Sequence, residues 1–446
     1  MGKNKQGAAT KIRKPNGFLY FVFFALIFPV MKLMFRLKVD RSGFSPPDGP
    51  FVVLCNHASF MDFVTVMISL YPRKLNAVVA QKYFYYSPLD RFLPFMGCIP
   101  KTLFAPDPHS VMGILSVIKR GDNLLLFPEG RCTTGGGYMG IHKATAKLIK
   151  KLGVPVVSCF IEGAYTCMPF WRKGVRWGRQ RASFATLFTA EDTQRLSADE
   201  INSLIDKRLS GSDRATAPER LHVNVEKNLV IGLENILYIC PKCEAEFSLE
   251  TFGNTIRCMV CGNAAVMDRF TRLSPVGDGI CPPTVRDWNA LQFSIEWKRL
   301  GFLSADDEIF RTSVFVRMNA RPAKGLEICG QGMLVLTGLG WTYTGELFGE
   351  TVKLFFPLES VPGIPFDPND NFQIYAGGTI HAFRPVEGAQ FCVKYATVGE
   401  CAYWRFSPSI QVTPVHDSGL GMEKTEKISV DWFNKVKTLL PPGGNT

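Results

Sequence analysis

The chain has 446 residues, more than one ordinary domain holds, so we expect two or three domains. Hydrophobic residues make up 46% of the sequence and no tract is of low complexity, which excludes a disordered chain and is typical of globular domains with sizeable cores. The formal net charge of +12 indicates an anionic partner, namely nucleic acid, an anionic membrane surface or a phosphorylated substrate.

The first forty residues combine basic and apolar stretches. Residues 1–39 contain eight Lys or Arg and no Asp or Glu, and residues 17–31, GFLYFVFFALIFPVM, carry no charge. This run is shorter than the roughly 20 residues of a comfortable membrane span, and no small-residue cleavage site follows it. We expect residues 1–40 to associate with the cytoplasmic face of a membrane, as an interfacial helix or as a span. The alternative is an ordinary buried helix.

Strands and helices alternate over residues 41–230. Four apolar runs predict buried strands, at 51–55, 76–80, 123–127 and 154–165. Helical patterns lie between or after these runs, at 59–71, 108–120, 142–153 and 197–210. The alternation predicts a layered α/β domain with a largely parallel sheet.

The stretch FVVLCNHASFMDF, residues 51–63, ends its apolar run at Asn56 and His57, and Asp62 follows. A histidine at the carboxyl end of a buried strand projects into the crevice where open α/β sheets bind ligands. A carboxylate beside one ring nitrogen raises the basicity of the other nitrogen, which can then take a proton from a hydroxyl that attacks a carbonyl. Without further motifs, a structural histidine at a helix start would explain the pattern equally well.

Three further motifs accompany this histidine. In LLLFPEGRCT, residues 124–133, a strand ends immediately before Glu129, Gly130 and Arg131. A glycine there permits a tight turn, and an arginine can bind phosphate. The others are GCIPK, which ends at Lys101, and VPVVSCFIEGAY, residues 154–165.

These four motifs, in this order and at these separations, resemble the glycerolipid acyltransferase family over residues 35–215. The resemblance implies that His57 is the general base, that Asp62 orients it, and that Glu129 and Gly130 form the acceptor-binding turn. We assign Asn56, Lys101 and Arg131 to substrate binding as well.

The implied reaction moves a fatty acyl group from an acyl thioester, carried by CoA or acyl carrier protein, to the free hydroxyl of lysophosphatidate. It forms phosphatidate in phospholipid biosynthesis, needs no organic cofactor and passes through no covalent enzyme intermediate. The expected partners are therefore membrane lipids and an anionic membrane surface.

Two departures from the family pattern leave the acceptor open. The family usually reads E-G-T-R at the turn, whereas here Cys132 holds the place of the arginine and Arg131 stands one residue early. In the second motif, Lys101 is the nearest basic residue. Glycerol 3-phosphate, another lysophospholipid or an aminolipid are alternative acceptors. A membrane-tethered scaffold protein with a degenerate acyltransferase fold is the alternative to an enzyme.

A basic cluster, WRKGVRWGRQR, occupies residues 171–181. It indicates either a solvated basic hairpin or a surface that docks on anionic lipid headgroups with its tryptophans at the interface. Nucleic acid is not an expected partner, because it does not fit the membrane segment.

Thirteen cysteines, an odd number, are scattered through the chain with no export signal, so disulfides are not expected. Cys240, Cys243, Cys258 and Cys261 form two C-x-x-C pairs separated by fourteen residues. Each pair can bind one face of a tetrahedral metal, so residues 236–272 predict a structural zinc site and resemble a zinc ribbon.

The carboxyl-terminal part, residues 285–446, consists of short alternating runs broken by Gly and Pro turns, for example at 341–345 and 372–375. This pattern predicts an antiparallel β-rich module, and residues 429–440 predict a closing helix. The stretch GQGMLVLTGLGWTYTG bears a loose resemblance to lipid-binding modules of the pleckstrin-homology type. We identify no chemistry in this module.

Overall fold

The computed structural model describes residues 12–210 and 227–407. The basic residues 1–11 and the predicted helix at 429–440 lie outside these ranges. Three sheets organise the described residues: a mixed seven-stranded sheet, a four-stranded antiparallel sheet and a seven-stranded antiparallel sheet. They confirm the predicted fold class of an α/β domain, a small cysteine module and a β-rich carboxyl-terminal part.

The first sheet belongs to the α/β domain, residues 36–210. Its strands are β1 (Lys38–Gly43), β2 (Val52–Cys55), β3 (Leu75–Ala80), β4 (Ile99–Lys101), β5 (Asn123–Leu126), β6 (Val156–Glu162) and β7 (Arg181–Phe188). They lie in the order β1-β7-β6-β2-β5-β3-β4. Strands β2 to β6 are mutually parallel, and β7 pairs antiparallel with β6 and parallel with β1.

Helices cover both faces of this sheet, which explains the uninterrupted apolar run of β2. Val52 and Leu54 pack in one core cluster, whereas Val53 and Cys55 pack in the other. The helices that accompany the sheet are α1 (Gly17–Phe35), α2 (Asp62–Ser69), α3 (Leu89–Phe95), α4 (Pro108–Lys119), α5 (Ala144–Leu152), α6 (Ala164–Cys167), α7 (Ala190–Arg195) and α8 (Ala198–Leu209). Because successive side chains of a strand point to opposite faces, a strand covered on both sides is apolar throughout.

Helix α1 packs against the α/β domain along one side. The Leu75 N–H donates to the Tyr20 hydroxyl at 3.3 Å, and Phe24 stacks on Tyr71 at 4.0 Å between ring centroids. Large apolar side chains cover the other side and are exposed, namely Phe18, Phe21, Leu26, Val30 and Leu33. Among the described residues, α1 is the one helix whose length and composition would allow it to cross a membrane.

The cysteine module, residues 233–275, contains the second sheet. Its strands are β8 (Leu249–Phe252), β9 (Thr255–Cys258), β10 (Ala264–Met267) and β11 (Leu273–Pro275), in the order β11-β10-β9-β8. A long helix, α9 (Val285–Leu300), follows it.

The prediction that β structure begins at residue 285 was wrong, because α9 occupies that position. Its apolar periodicity is broken by two buried polar residues, Gln292 and Glu296. Gln292 accepts hydrogen bonds from the N–H groups of Tyr238 at 2.6 Å and Ile239 at 3.1 Å. Tyr238 donates its hydroxyl to Glu296 at 3.1 Å. The helix is thus fixed to the cysteine module by polar contacts, which a hydrophobic pattern in the sequence cannot predict.

The β domain, residues 308–406, holds the third sheet. Its strands are β12 (Glu308–Met318), β13 (Glu327–Thr337), β14 (Gly340–Leu347), β15 (Glu350–Pro357), β16 (Phe366–Asp367), β17 (Asn371–Ala376) and β18 (Thr379–Pro385). They lie in the order β15-β14-β13-β12-β18-β17-β16, all antiparallel. A final described helix, α10 (Phe391–Phe406), which the sequence patterns did not predict, packs against α9 and β17.

Candidate active site

The carboxyl ends of the neighbouring strands β2 and β5 bring two of the predicted motifs together. Glu129, just beyond β5, accepts a hydrogen bond from the His57 N–H at 2.8 Å with one oxygen and from the Met139 N–H at 2.9 Å with the other. Burial raises the pKa of Glu129 to about 7, although these two hydrogen bonds oppose the shift. The carboxylate therefore fixes the backbone of His57, and both of its oxygens are occupied by protein donors.

His57 also contacts Asp62, the first residue of α2. Its Nδ1 lies 3.1 Å from Asp62 Oδ2, and the same oxygen accepts the Ser59 N–H at 2.8 Å. The Asp62 side chain is 1% exposed, whereas that of His57 is 19% exposed and stacks on Phe127 at 4.2 Å between ring centroids. This arrangement places the proton of neutral His57 on Nδ1 and leaves Nε2 to accept one.

The local charges favour a basic imidazole. Burial lowers the pKa of His57, but the Cys132 sulfur and the hydrogen bond with Asp62 outweigh it and raise the pKa well above its usual value. Burial raises the pKa of Asp62, and its hydrogen bond with His57 opposes that shift. Asp62 thus stabilises the imidazolium that forms when His57 accepts a proton.

Asn56 was predicted to bind substrate, but its amide is engaged in the sheet. Its Nδ2 donates to the Ile161 carbonyl at 3.1 Å, and its Oδ1 accepts the Ile161 N–H at 2.8 Å. These paired hydrogen bonds tie the end of β2 to β6. Asn56 is therefore placed to hold the strand end that carries His57, and it also lines the cavity beside His57.

Arg131 is engaged by the β domain. Its guanidinium donates to both oxygens of Glu400, on α10, at 2.5 and 2.9 Å, and to the Ile364 carbonyl at 3.3 Å. It also lies over the Phe104 ring, 5.7 Å from the centroid. The preceding Gly130 has a φ of 75°, as the predicted tight turn requires.

Lys101 is engaged as well. Its ammonium group donates to the carbonyls of Thr102 at 2.7 Å and Ala105 at 3.3 Å, and Asp107 lies 3.8 Å away. Burial lowers the pKa of Lys101, and Asp107 opposes this shift. Both cations that the sequence offers for a substrate phosphate therefore have protein partners in this structure.

Cys132 lies against the histidine. Its Sγ is 3.4 Å from Nε2 and 3.6 Å from Nδ1 of His57. The near-equal distances show that the sulfur does not lie along the N–H direction of either nitrogen, so this is a packing contact and not an aligned hydrogen bond.

Sequence reasoning missed the loop that follows Cys132. The Thr133 N–H donates to the His57 carbonyl at 2.9 Å, and Gly136, Gly137 and Tyr138 line a cavity together with His57. The only signal in the sequence was the run of three glycines at 135–137. The structure explains it, because protein groups approach this loop closely from two sides.

The arrangement is suited to direct acyl transfer. In such a transfer a substrate hydroxyl attacks the carbonyl carbon of a thioester and a C–O bond forms, and His57 Nε2 is placed to take the hydroxyl proton. The C–S bond then breaks, and the departing sulfur receives that proton from the imidazolium. Neither a serine nor a cysteine nucleophile is required.

The four predicted metal ligands come together in the cysteine module. Sγ atoms of Cys240 and Cys261 are 3.7 Å apart, those of Cys243 and Cys258 are 3.8 Å apart, and all four lie within 4.8 Å of one another. Four sulfurs placed tetrahedrally about 2.3 Å from a zinc ion would be about 3.8 Å apart. The cluster therefore fits zinc, and four cysteine ligands would leave no open position for catalysis.

The basic cluster at 171–181 is partly internal. Trp171 and Arg176 are buried, with the guanidinium 5.2 Å from the centre of the indole ring. The interpretation that both tryptophans dock on a membrane was therefore wrong for Trp171, and of the two only Trp177 is exposed.

Comparison with known proteins gives two family matches. Residues 36–162 match the acyltransferase family, and residues 233–268 match a zinc-ribbon family described as the 7 kDa subunit of DNA directed RNA polymerase. The 1-acyl-sn-glycerol-3-phosphate acyltransferase of Bacillus subtilis (strain 168) is 23% identical over 146 residues, which are 32% of this chain and 72% of that protein.

A solved structure is similar as well. The crystal structure of the 1-acyl-sn-glycerophosphate (LPA) acyltransferase PlsC from Thermotoga maritima aligns with a TM-score of 0.39 and 18% sequence identity. The alignment covers 43% of this chain and 77% of PlsC.

Proposed function

We propose that the chain is an O-acyltransferase of phospholipid biosynthesis, because residues 36–162 match the acyltransferase family and the similar Bacillus subtilis protein is a 1-acyl-sn-glycerol-3-phosphate acyltransferase. It moves a fatty acyl group from an acyl thioester to the free hydroxyl of lysophosphatidate and forms phosphatidate. The observation that carries this proposal is the His57–Asp62 pair, fixed by Glu129 at the ends of two parallel strands.

The name of the Bacillus subtilis relative, 1-acyl-sn-glycerol-3-phosphate acyltransferase, supports lysophosphatidate as the acceptor. One observation favours a second candidate, an acceptor without a phosphate monoester, such as an aminolipid or a phosphodiester lysophospholipid. Arg131 and Lys101 already bind protein oxygens, so neither can receive a phosphate without leaving those partners.

We further propose that the enzyme works at the cytoplasmic face of a membrane. The exposed apolar side of α1 suits insertion among acyl chains, and the basic residues around it suit anionic headgroups. Cys240, Cys243, Cys258 and Cys261 hold one zinc ion in this proposal, and its role is structural.

The test is an acyl-transfer assay on membranes that contain the purified protein, with acyl-CoA or acyl carrier protein thioesters as donors. The acceptors are lysophosphatidate, glycerol 3-phosphate, other lysophospholipids and an aminolipid. We expect transfer to lysophosphatidate, and a loss of about 10²–10⁴-fold in His57→Ala because the general base is removed.

The control is His109→Ala, which removes an exposed histidine near the start of α4 and should leave transfer unchanged. Turnover at the wild-type rate in His57→Ala would rule out the base. If the wild-type protein transfers to none of these acceptors, the scaffold interpretation is favoured instead.

A further inference from the structure

A phosphate-bearing acceptor needs a cation near His57, and three nearby candidates have partners. Besides Arg131 and Lys101, Lys82 donates to both oxygens of Asp367 in the β domain, at 2.7 and 2.8 Å. The family's own arginine position is Cys132. A cation that binds the phosphate therefore has to come from outside the predicted motifs.

One cation from outside the α/β domain packs against a residue of the cavity wall, Gly137. Arg286 lies in the first turn of α9, and a Cβ atom added to Gly137 would be 2.7 Å from its Cδ and 2.8 Å from its Nε. Gly137 lines the same cavity as His57 and Glu129. Arg286 is exposed, and within residues 12–210 and 227–407 its guanidinium makes no hydrogen bond or ion pair. It is therefore a charge beside the cavity wall that has no acceptor among the described residues.

The contact between α9 and the glycine loop involves backbone atoms, so it does not depend on one side-chain rotamer. A Cβ atom at Gly135 would lie 2.9 Å from the Arg286 Cα and equally close to the Asn289 side chain. A side chain at either glycine would therefore push α9 away from the loop. The glycine run lets the first turn of α9 approach the wall of the cavity.

The cysteine module fixes the position of α9. Trp288 donates its indole N–H to the Ile239 carbonyl at 2.9 Å, and Gln292 donates to the Ile236 carbonyl at 3.0 Å. Cys240 follows Ile239 directly. The guanidinium of Arg286 thus extends from a helix that is fixed on the module, which is the rigid support that a binding residue needs.

We propose that Arg286 binds the phosphate monoester of the lysophospholipid acceptor and so determines acceptor specificity. This inference rests on the proposed acyl-transfer function. A guanidinium can donate two parallel N–H hydrogen bonds to a phosphate. Arg286 would supply the positive charge that Arg131 cannot, because Arg131 is paired with Glu400. The acceptor site would then be completed by a residue that lies outside the family's domain.

The test compares Arg286→Met with the wild-type protein, because methionine keeps an aliphatic stem against Gly137 and removes the charge. We expect KM for lysophosphatidate to rise about 10-fold to 100-fold, the size of a hydrogen bond to a charged group, while kcat and the KM for acyl-CoA stay unchanged. Arg286→Lys should restore part of the affinity. Lys298→Met removes a positive charge from the same helix twelve residues away and should change neither constant.

A binding measurement separates this inference from the proposed function. Calorimetric titration with hexanoyl-lysophosphatidate should show binding to the wild type and a matching loss in Arg286→Met, whereas 1-hexanoylglycerol, which lacks the phosphate, should not distinguish the two. If this loss occurs but no acyl transfer is detected, the phosphate site stands and the proposed function fails. Equal binding by both proteins, no binding by the wild type, or a rise in the KM for acyl-CoA alone would overturn the inference.

Discussion

Single residues around His57 show how a common side chain acquires the properties of a base. Asp62, five residues on, fixes the ring, and Glu129, seventy-two residues on, fixes the backbone. Burial lowers the pKa of His57, but Cys132 and Asp62 outweigh it and raise the pKa well above its usual value. A raised pKa means a stronger base, but also a larger fraction that is already protonated at moderate pH.

The raised pKa of His57 predicts how kcat/KM depends on pH. Only neutral His57 can accept the hydroxyl proton, so kcat/KM should fall as the pH drops through the raised pKa. In Asp62→Asn, the lost carboxylate no longer stabilises the imidazolium, so the pKa of His57 falls and the acidic limb of the profile moves to lower pH. The maximal rate should also fall, by up to the 10²–10⁴-fold that a base contributes.

The measurement is the pH profile of kcat/KM for both proteins at saturating acyl-CoA. An acidic limb at the same pH in both would show that Asp62 does not act on the ionisation of His57.

Among the elements, the loop at 133–139 and the helix α9 carry the least obvious sequence signal. Gly136 has a φ of 86°, and a Cβ atom there would lie 2.7 Å from the Tyr165 ring, on a side of the loop different from the one that α9 covers. The loop is therefore held between the α/β core and α9, and it carries the Met139 N–H that binds Glu129.

We therefore expect Gly136→Ala to reduce acyl transfer, because the methyl group must displace the loop or Tyr165. Its control is Gly121→Ala, at a φ of 84° with no atom within 4 Å of the added Cβ. Both changes place a non-glycine residue in the left-handed region, which costs about 1–2 kcal/mol. Melting temperatures should fall in both, and transfer rates only in Gly136→Ala. An equal loss of transfer in both would mean that backbone strain alone is responsible.

The two C-x-x-C turns, in contrast, are elements that the sequence predicts. The Cys240 carbonyl accepts the Glu244 N–H and the Cys258 carbonyl accepts the Gly262 N–H, both at 3.0 Å, and Glu244 and Gly262 both have positive φ. The two halves of the cluster therefore repeat one turn, as expected for paired metal-binding turns.

Elemental analysis should find about one zinc per chain, and Cys258→Ser should lose it because three sulfurs bind less tightly than four. Cys281→Ser, which removes a half-buried cysteine outside the cluster, should retain the metal. The melting temperature should drop in Cys258→Ser, since α9 is anchored on this module. A folded wild-type protein that contains no metal would contradict the assignment.

In the molecule as a whole, the β domain is fastened to the α/β domain beside the active site. Arg131 with Glu400 and Lys82 with Asp367 are two ion pairs that cross between them, and the Gly325 N–H adds a hydrogen bond to the Tyr85 carbonyl at 2.7 Å. Glu400 is also bound by the Ile364 N–H at 2.9 Å. The β domain thus contacts the α/β domain next to the strand ends that carry His57 and Glu129.

Glu400→Gln should destabilise the protein by about 3 kcal/mol, because it leaves Arg131 charged and mostly buried without its partner. The control is Glu308→Gln, which breaks an exposed Arg–Glu pair on β12 and should change stability little. Urea denaturation followed by tryptophan fluorescence measures both. Equal midpoints for Glu400→Gln and the wild type would show that this pair does not hold the domains together.

Local sequence patterns were sufficient to predict a large part of the fold and of the candidate site. Strand periodicity, the His57–Asp62 spacing and the C-x-x-C pairs depend on residues close in sequence, so the α/β sheet, the histidine–aspartate contact and the cysteine cluster could be predicted. The ion pair of Arg131 could not be predicted from the sequence, because its partner Glu400 lies 269 residues away. Helix α9 was hidden for a similar reason, since the buried Gln292 has its partners in the cysteine module. Contacts between distant segments leave no periodic trace in a sequence, and in this protein they decide which cations are available near His57.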